Sequence, residues 1–296
     1  MEVPKLGNLA DLASRIAKEE KADIYHFCGL ITEDRFGLLR TAPISPRQSR
    51  AILILDTEGG DGPAAFQIAR LFHKRYSKLI VYIPRRCKSA GTFVALGAHQ
   101  LIMHPDAVMG PIDPQFRKHD EICLRESALS ARAALTALGD AAYGILEQTA
   151  ANLAVESEAA VSFRLGSQIG VDLTAGLMSQ LVAKLDPTIF GTHQLALETA
   201  IAYGNRLVRA SGNASEESVR RLVTNYPSHD FVIDFTEASE MFEELSTPTE
   251  LLQLYGLTLL EIDSPDYAFC YDLQTDLGDA GDADSVDKAA DNRQAA

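Results

Sequence analysis

The chain has 296 residues, of which 46% are hydrophobic and 23% charged, a balance typical of a globular protein with a large buried core. Its formal net charge is −14, and a field of that sign repels polyanions, so we do not expect nucleic acid as a partner. Neither CxxC spacing nor a compact disulfide framework is present, so we expect no metal site, no cofactor and a reducing, cytoplasmic location. The four cysteines lie far apart, at Cys28, Cys87, Cys123 and Cys270.

The two ends of the chain differ from its middle in composition. Charged side chains are scattered through residues 1–30, which argues against a signal peptide or a membrane anchor, and no membrane association is expected. Residues 271–296 are rich in Asp, Ala and Gly and hold little apolar surface, which predicts a disordered acidic tail. We therefore divide the chain into an N-terminal helix over 1–21, a main folded domain with helical additions over 22–270 and the tail over 271–296.

The first half of the chain alternates apolar runs with amphipathic stretches. Two of these runs are continuous, as in strands buried on both faces, and the helix between them makes a βαβ unit with parallel strands. The predicted strands cover 22–29, 51–56, 78–84, 100–103 and 107–110, and the predicted helices cover 8–20, 63–76 and 89–98. A looser segment is expected between the first two strands.

The second half is rich in Ala, Leu and Glu and predicts long helices over 127–155, 177–185, 193–211 and 216–224. The fold class expected from both halves is α/β, with a twisted, mostly parallel sheet flanked by helices and a mainly helical C-terminal half. An antiparallel sandwich would contradict this prediction.

Ser89 stands directly after a predicted buried strand and at the start of a helix. There it could act as a nucleophile, because free backbone N–H groups at a helix start favour developing negative charge. From this string alone, however, an ordinary N-cap is the commoner role for such a serine. The neighbouring Cys87 is a second conceivable nucleophile, but a strand-end cysteine two residues earlier is expected to be buried. Cys87 also replaces the first glycine of a GxSxG elbow, which disfavours an α/β-hydrolase.

Two further turns are expected at the same edge of the sheet as Ser89. Gly59 and Gly60 end the preceding buried strand and could direct backbone N–H groups at one point, as an oxyanion hole requires, although such a dipeptide could also be a plain turn. A third strand delivers residues 110–115 to that edge. The convergence of three unusual turns is stronger evidence for a site than any one of them.

Four sequence strings are distinctive: Asp56-Thr-Glu-Gly-Gly60, Lys88-Ser-Ala-Gly-Thr92, Met109-Gly-Pro-Ile-Asp-Pro-Gln115 and Tyr226-Pro-Ser-His-Asp-Phe-Val-Ile-Asp234. They resemble the serine dehydrogenase proteinase family, a branch of the Clp/crotonase-like fold related to signal peptide peptidase A, and the resemblance runs from about residue 22 to residue 249. It implies a serine peptidase with Ser89 as nucleophile and oxyanion donors near Gly60, and it implies self-association into a homo-oligomer.

The general base stays open, since neither the histidine of the Clp subunit nor the lysine of signal peptide peptidase A has a clear counterpart. Lys118 follows the third turn and His229 lies in the last family-like string, so both are selected as catalytic candidates. Asp113 is a possible orienting carboxylate. The remaining candidates are Lys88, His104, His119 and His193.

Three functions compete. The preferred one is a serine peptidase that hydrolyses peptide or protein substrates through an acyl-enzyme at Ser89. The second is a catalytically silent Clp-fold scaffold that binds an extended peptide by strand addition. The third is a crotonase-like acyl-CoA enzyme, which would need a carboxylate base and a basic patch for the CoA phosphates.

Overall fold

The computed structural model describes residues 6–41, 46–117, 125–158 and 160–261. The chain folds as two compact units. The first unit combines residues 1–112 with residues 200–296, and the second unit is formed by residues 113–199. The predicted tail over 271–296 lies outside the described residues, and the domain boundaries drawn from the sequence stay a prediction.

A five-stranded parallel sheet, in the order β1-β2-β3-β5-β9, forms the centre of the first unit. In the same unit β4 runs parallel to β6, and in the second unit β7 and β8 form an antiparallel hairpin. The strands are β1 (Asp23–Cys28), β2 (Arg50–Asp56), β3 (Lys78–Ile83), β4 (Arg86–Cys87), β5 (Gln100–Met103), β6 (Val108–Met109), β7 (Gln115–Arg117), β8 (Arg125–Ser127) and β9 (Leu245–Ser246). The predicted fold class, a mostly parallel sheet with a helical second half, is confirmed.

The helices of the described residues flank the sheet in the first unit and dominate the second. They are α1 (Leu6–Glu20), α2 (Glu33–Thr41), α3 (Gly62–Arg75), α4 (Ala90–Leu96), α5 (Ala128–Glu156), α6 (Phe163–Val182), α7 (Pro187–Ser211), α8 (Glu216–Thr224), α9 (Phe235–Ser239) and α10 (Glu250–Glu261). No helix among the described residues is long and apolar enough to cross a membrane.

The continuous apolar runs of β2 and β3 are explained by burial on both faces. Residues 51–56 and 79–83 are buried throughout. On one face, isoleucines of β1, β2 and β3 form a core with the apolar sides of α1 and α10. Because both of their faces are buried, β2 and β3 are central strands of the sheet. The loops that can form a site follow the carboxyl ends of the strands.

Several elements depart from the sequence-based expectation, and three of them show why. Helix α2 occupies part of the segment predicted to be loose. It was not recognised because only Phe36 and Leu39 are buried on it, and two apolar residues do not show a helical period in the sequence. Helix α6 begins at Phe163, well before its predicted start, since glycines within it weaken the helical pattern. Strand β9 has two residues, too few for any periodic signal.

The buried face under α10 contains a histidine. His26 of β1 lies edge-on to the ring of Tyr255, with 6.0 Å between the ring centroids. Burial lowers the pKa of His26 to about 4, against a smaller opposing effect of the Asp56 charge. The unfolded chain, with an ordinary histidine, takes up this proton at a higher pH than the folded chain does.

The fold is therefore expected to lose stability as the pH falls from about 6.5 towards 4. Between pH 7.5 and pH 5, the difference in the pKa of His26 between the folded and unfolded chain lowers the free energy of unfolding by about 2 kcal/mol. Urea unfolding at both pH values checks this, with His26→Phe as a control that keeps a ring against Tyr255 but cannot titrate. An identical pH response of wild type and His26→Phe would contradict the assignment.

Candidate active site

Ser89 occupies the first position before α4 in an unusual backbone conformation. Its φ is 49° and its ψ is −111°, and its side chain makes no capping hydrogen bond to the helix. A positive φ is strained for a residue with a side chain and persists only where the surrounding structure enforces it. The N-cap alternative weighed for this serine is wrong with respect to the side chain, because the hydroxyl is not used to cap α4.

Gly59 and Gly60 lie against the residues that they were expected to approach. Gly59 has a φ of 108°, and a Cβ placed on it would lie 2.8 Å from Ser89 Cβ. Gly60 has a φ of 134°, and a Cβ there would lie 2.1 Å from the carbonyl oxygen of Ile31. Both positions therefore require glycine for two independent reasons, the backbone angle and the absence of space.

The N–H groups of these glycines differ in their use. The N–H of Gly59 donates to Thr57 Oγ1 at 2.9 Å, so it is not available to bind another acceptor. Within the described part of the chain, the N–H groups of Gly60 and Ala90 donate no hydrogen bond. Sequence reasoning missed Ala90, although the residue after a nucleophile at a strand-to-helix turn is a common oxyanion donor.

Backbone hydrogen bonds attach the segment before Ser89 to the segment before Gly59. The N–H of Thr57 donates to the carbonyl of Arg86, and the N–H of Lys88 donates to the carbonyl of Thr57, both at 3.0 Å. This continues the parallel pairing of β2 and β3 beyond their ends, as an isolated bridge between Thr57 and Cys87. The two turns are thereby held at a fixed register.

The third turn reaches the same place through Gly110. Its N–H donates to the carbonyl of Cys87 at 3.1 Å, and its carbonyl accepts from Thr92 Oγ1 at 2.7 Å. A Cβ on Gly110 would lie 3.1 Å from Lys88 Cβ, so this backbone passes directly beside the residue before Ser89. The expected convergence of three turns is thus observed.

The loop that contains His229 is tied to this third turn. Met109 and Ile233 exchange two backbone hydrogen bonds, of 2.8 and 2.9 Å, in an antiparallel bridge. His229 lies four residues before Ile233 in the loop between α8 and α9, and its side chain is partly buried. The bridge brings this loop to the strand that precedes Gly110.

A network of charges lies at the carboxyl ends of β2 and β3. Asp56, which is 5% exposed, accepts from Arg85 Nε at 3.0 Å and from Arg86 Nε at 3.2 Å. Glu58 forms ion pairs with Arg86 and, at 3.3 Å, with Lys88 Nζ. The hydrogen bond to Asp56 raises the pKa of Arg85, so this guanidinium stays charged. Glu58 therefore bridges the two residues that flank Cys87.

Cys87 is fully buried, as expected from its position. Its exposed fraction is 0%, and burial raises the pKa of its thiol above the ordinary value, with a further contribution from the Asp56 carboxylate. A thiol that resists ionisation is a poor nucleophile. The interpretation of Cys87 as a small core residue is confirmed.

The remaining candidate bases fall into different places. His104 follows β5, and its Nδ1 accepts from the backbone N–H of Asp106 at 3.2 Å. His193 is buried on α7 within the second unit. Lys118 and His119 lie outside the described residues, so the call on Lys118 stays a prediction.

Asp113 has a hydrogen-bond partner within the second unit. Its carboxylate accepts from the hydroxyl of Ser127 at 2.7 Å, and that hydroxyl in turn accepts from the N–H of Leu129 at 3.0 Å. These two bonds fix the start of α5. An orienting role of Asp113 toward a catalytic base stays a prediction.

Among the described residues, no three His, Cys, Asp or Glu side chains come together in a way that could hold a metal ion. The site offers a serine hydroxyl, two backbone N–H groups that donate no hydrogen bond within the described residues, and the surrounding charges. A serine hydroxyl and free backbone N–H donors are groups that acyl transfer at a serine uses.

Curated relatives of the chain come from Methanocaldococcus jannaschii. The uncharacterized protein MJ1495 is 36% identical over 104 residues, which are 35% of this chain and 35% of that protein. The uncharacterized protein MJ0137 is 35% identical over 96 residues, 32% of this chain and 33% of that protein. The chain thus matches about a third of the length of these relatives.

Similar solved structures include two mutants of 1510-N, a membrane-bound stomatin-specific protease. One has a TM-score of 0.46 at 17% sequence identity, covering 78% of this chain and 81% of that chain. The other, in complex with a substrate peptide, has a TM-score of 0.46 at 18% identity and covers 78% and 76%.

A family match covers the part of the chain that holds the candidate site. Residues 21–129 match the ClpP-like SDH-type serine proteinases. This range contains Gly59, Gly60, Ser89 and the third turn at Gly110, and it agrees with the resemblance noted in the sequence. Over residues 21–129, the chain is therefore similar to the ClpP-like SDH-type serine proteinases.

Proposed function

We propose that this protein is a serine peptidase that hydrolyses peptide bonds through an acyl-enzyme at Ser89. The observation that supports it most is the backbone of Ser89, which is held at a φ of 49° directly before a helix while its hydroxyl leaves that helix uncapped. Strain of this kind is common at functional sites, where the fold maintains a geometry that local preference opposes. The family match supports the same chemistry.

In the proposed reaction, Ser89 Oγ attacks the carbonyl carbon of the scissile peptide bond and loses its proton to a base. The carbonyl oxygen becomes an oxyanion, which the N–H groups of Gly60 and Ala90 would stabilise, because both are free of other acceptors in the described residues. Collapse breaks the C–N bond, and the base returns the proton to the leaving amine. Water then hydrolyses the ester and regenerates Ser89.

The oxyanion assignment refines the prediction for Gly59 and Gly60. Gly60 would donate directly, whereas Gly59 would act by its lack of a side chain, since its own N–H is bonded to Thr57. A single missing donor in such a hole typically costs about 100-fold to 1,000-fold in turnover. The two glycines therefore have different parts in one function.

Lys118 and His229 are the bases that we propose. His229 lies on a loop that is bonded to the strand before Gly110, which itself contacts Lys88. Lys118 follows β7 in the chain, one residue after Arg117. We further propose peptide or protein substrates, self-association into a homo-oligomer and a cytoplasmic location, with neither membrane nor nucleic acid as partner.

The alternative is the silent Clp-fold scaffold, which binds peptides without cleaving them. One observation favours it: within the described residues, no lysine or histidine side chain forms a hydrogen bond to Ser89 Oγ. A reaction of wild type with a fluorophosphonate probe, followed by peptide mapping, separates the two functions. Labelling at Ser89 supports the peptidase, and an inert wild type supports the scaffold.

Replacement Ser89→Ala should lower peptide hydrolysis by about 1,000-fold or more, since it removes the nucleophile and one oxygen only. The melting temperature should stay the same, because the hydroxyl caps nothing. The matched control is Ser215→Ala, which deletes the cap bond to the N–H of Ser218. The control should cost about 1 kcal/mol of stability and leave turnover intact. Hydrolysis of fluorogenic peptides that survives Ser89→Ala would defeat the mechanism.

Replacement Gly60→Val should also abolish hydrolysis, for a different reason. Its Cβ would overlap the Ile31 carbonyl, so the loop must shift and carry its N–H away from the oxyanion. This variant should therefore lose melting temperature as well as activity. Gly37→Ala is the control, because no atom lies within 4 Å of its new Cβ, and it should keep both. Full activity of Gly60→Val would exclude this loop from the site.

The base is identified by variants Lys118→Met and His229→Gln, each assayed alone and combined with Ser89→Ala. Loss of the true base should approach the loss from Ser89→Ala, and the double variant should be no worse than Ser89→Ala alone, since the two groups act as a unit. The melting temperature should stay unchanged. Near-normal turnover in both single variants would remove Lys118 and His229 from the mechanism.

A further inference from the structure

Acidic and basic residues are unevenly distributed in the first unit. Residues 35–55 and 62–105 contain no aspartate and no glutamate, although the formal net charge of the whole chain is −14. These two stretches hold eleven of the 27 lysines and arginines. They are Arg35, Arg40, Arg47, Arg50, Arg70, Lys74, Arg75, Lys78, Arg85, Arg86 and Lys88. The first unit is therefore expected to carry a basic region on a protein that is acidic as a whole.

The two basic stretches meet at the edge of the sheet where β2 and β3 begin, which we call the amino edge. Arg50 and Lys78 are paired across these two strands. Just before them, Ser77 donates hydrogen bonds from its N–H and from its hydroxyl to the carbonyl of Ser49, both at 2.8 Å. Ser89 follows the opposite, carboxyl end of β3. Contacts within the first unit therefore join the two basic stretches at an edge away from the candidate active site.

Side chains from α2, from α3 and from the segment before β2 add positive charge at the amino edge. The guanidinium of Arg75, the last residue of α3, donates to the carbonyl of Arg40 on α2 at 3.3 Å. We call the whole group of cations the amino-edge surface. In it Arg40, Arg47 and Lys74 are exposed, and Arg75 and Lys78 are partly exposed.

The carboxylate beside the amino-edge surface does not balance its charge. Asp23, the first residue of β1, is 1% exposed, and its Oδ2 accepts from the N–H of Arg47 and from the hydroxyl of Tyr76, both at 2.9 Å. Among the residues that the structure describes, the four cations other than Arg47 form no ion pair. The amino-edge surface therefore fits a partner that offers several carboxylates close together.

The acidic tail of the same chain has the required charge. Residues 271–296 carry seven aspartates against Lys288 and Arg293, so their side chains have a formal net charge of −5. Nine residues connect the tail to α10, enough to span about 30 Å when extended. Helix α10 packs with α1 in one core cluster, and α1 ends three residues before β1 begins. The tail therefore follows a helix whose neighbour leads to the amino edge.

Other polyanions are weaker candidates for this surface. Nucleic acid or an anionic membrane would have to approach a protein with a net charge of −14, which repels them. The tail is tethered to the first unit, so its effective concentration there is about millimolar at any protein concentration. A tethered segment needs only a modest attraction to stay bound.

We propose that the acidic tail over residues 271–296 docks on the amino-edge surface of its own chain. Its aspartates bind the cations through charge, because the tail offers little apolar surface, and this contact requires no folded conformation of the tail. Salt weakens the contact by screening the charges. The proposal does not depend on peptidase activity, because Ser89 lies beyond the other end of β3.

The test is zero-length cross-linking of the full chain with a water-soluble carbodiimide, which couples carboxylates directly to lysine amines, followed by peptide mapping of the monomer. Tail aspartates should couple to Lys74 and Lys78 about 10-fold more than to the exposed Lys184, since the positive field concentrates them there. Raising NaCl from 0.1 M to 1 M should abolish this preference, because the Debye length falls from about 10 Å to about 3 Å. Equal coupling at all three lysines at the lower salt concentration would overturn the proposal.

A double variant, Arg40→Gln/Arg75→Gln, removes two cations and keeps the lysine amines of the amino-edge surface. Coupling of the tail to these amines should fall about 5-fold, the effect of losing two surface ion pairs. The matched control is Arg132→Gln/Arg164→Gln, which removes two exposed arginines of the second unit and changes the net charge equally. The control should couple like wild type, and equal losses in both double variants would contradict the proposal. Far-UV circular dichroism should be the same in all three proteins.

A second readout leaves the amino-edge surface intact and neutralises the tail. With every tail aspartate changed to asparagine, Lys74 and Lys78 should react about 3-fold faster with an acetylating N-hydroxysuccinimide ester than they do in wild type, because their ion pairs are lost. Lys184 should react at the same rate in both proteins. Unchanged rates at Lys74 and Lys78 would refute the docking. The seven changes are Asp272→Asn, Asp276→Asn, Asp279→Asn, Asp282→Asn, Asp284→Asn, Asp287→Asn and Asp291→Asn.

Two further outcomes would assign the amino-edge surface to another occupant. Tail cross-links found in a covalent dimer rather than in the monomer would overturn the proposal in favour of a second copy. Flotation of wild type with phosphatidylserine vesicles that is lost in Arg40→Gln/Arg75→Gln would overturn it in favour of an anionic lipid surface.

Discussion

Backbone crowding beyond the carboxyl ends of β1, β2 and β3 governs the arrangement around Ser89. The turn after β2 passes between two others: Gly60 has no room for a Cβ beside Ile31, and Gly59 has none beside Ser89. Parallel pairing continues through this region as single bridges, Ile31 to Gly60 and Thr57 to Cys87. Because neighbouring segments of the backbone approach so closely, Ser89 and the N–H of Gly60 occupy fixed positions.

Ion pairs also hold the segment before Ser89 in register with the segment before Gly59. Asp56 and Glu58 stand on either side of Thr57, and each binds a side chain from the segment that leads into Ser89. Pairs of this kind contribute little net stability when one partner is exposed, but they discriminate strongly between correct and shifted pairings. Glu58, with its two cationic partners, therefore positions the segment before Ser89 relative to the segment before Gly59.

The sequence predicted those parts of the molecule that depend on local pattern. The strands through residues 51–56 and 78–83 were recognisable because burial on both faces leaves an unbroken apolar run. Features that depend on tertiary contact had no such signal. The bond from Gly59 N–H to Thr57 is one example, and the free N–H of Ala90 is another. The attachment of the loop that contains His229 to the strand before Gly110 follows from the bridge at Ile233, which no spacing in the sequence indicates.

The first unit is discontinuous in the chain, and this has a consequence for biosynthesis. Strand β9, which completes the sheet beside β5, and Ile233, which holds Met109, are both made after the whole helical unit over 113–199. On the ribosome, the loops around Ser89 therefore exist for well over a hundred residues of synthesis without their C-terminal support. The segment that contains Ser89 is therefore synthesised early, and the residues that support it from the C-terminal part of the first unit are synthesised late.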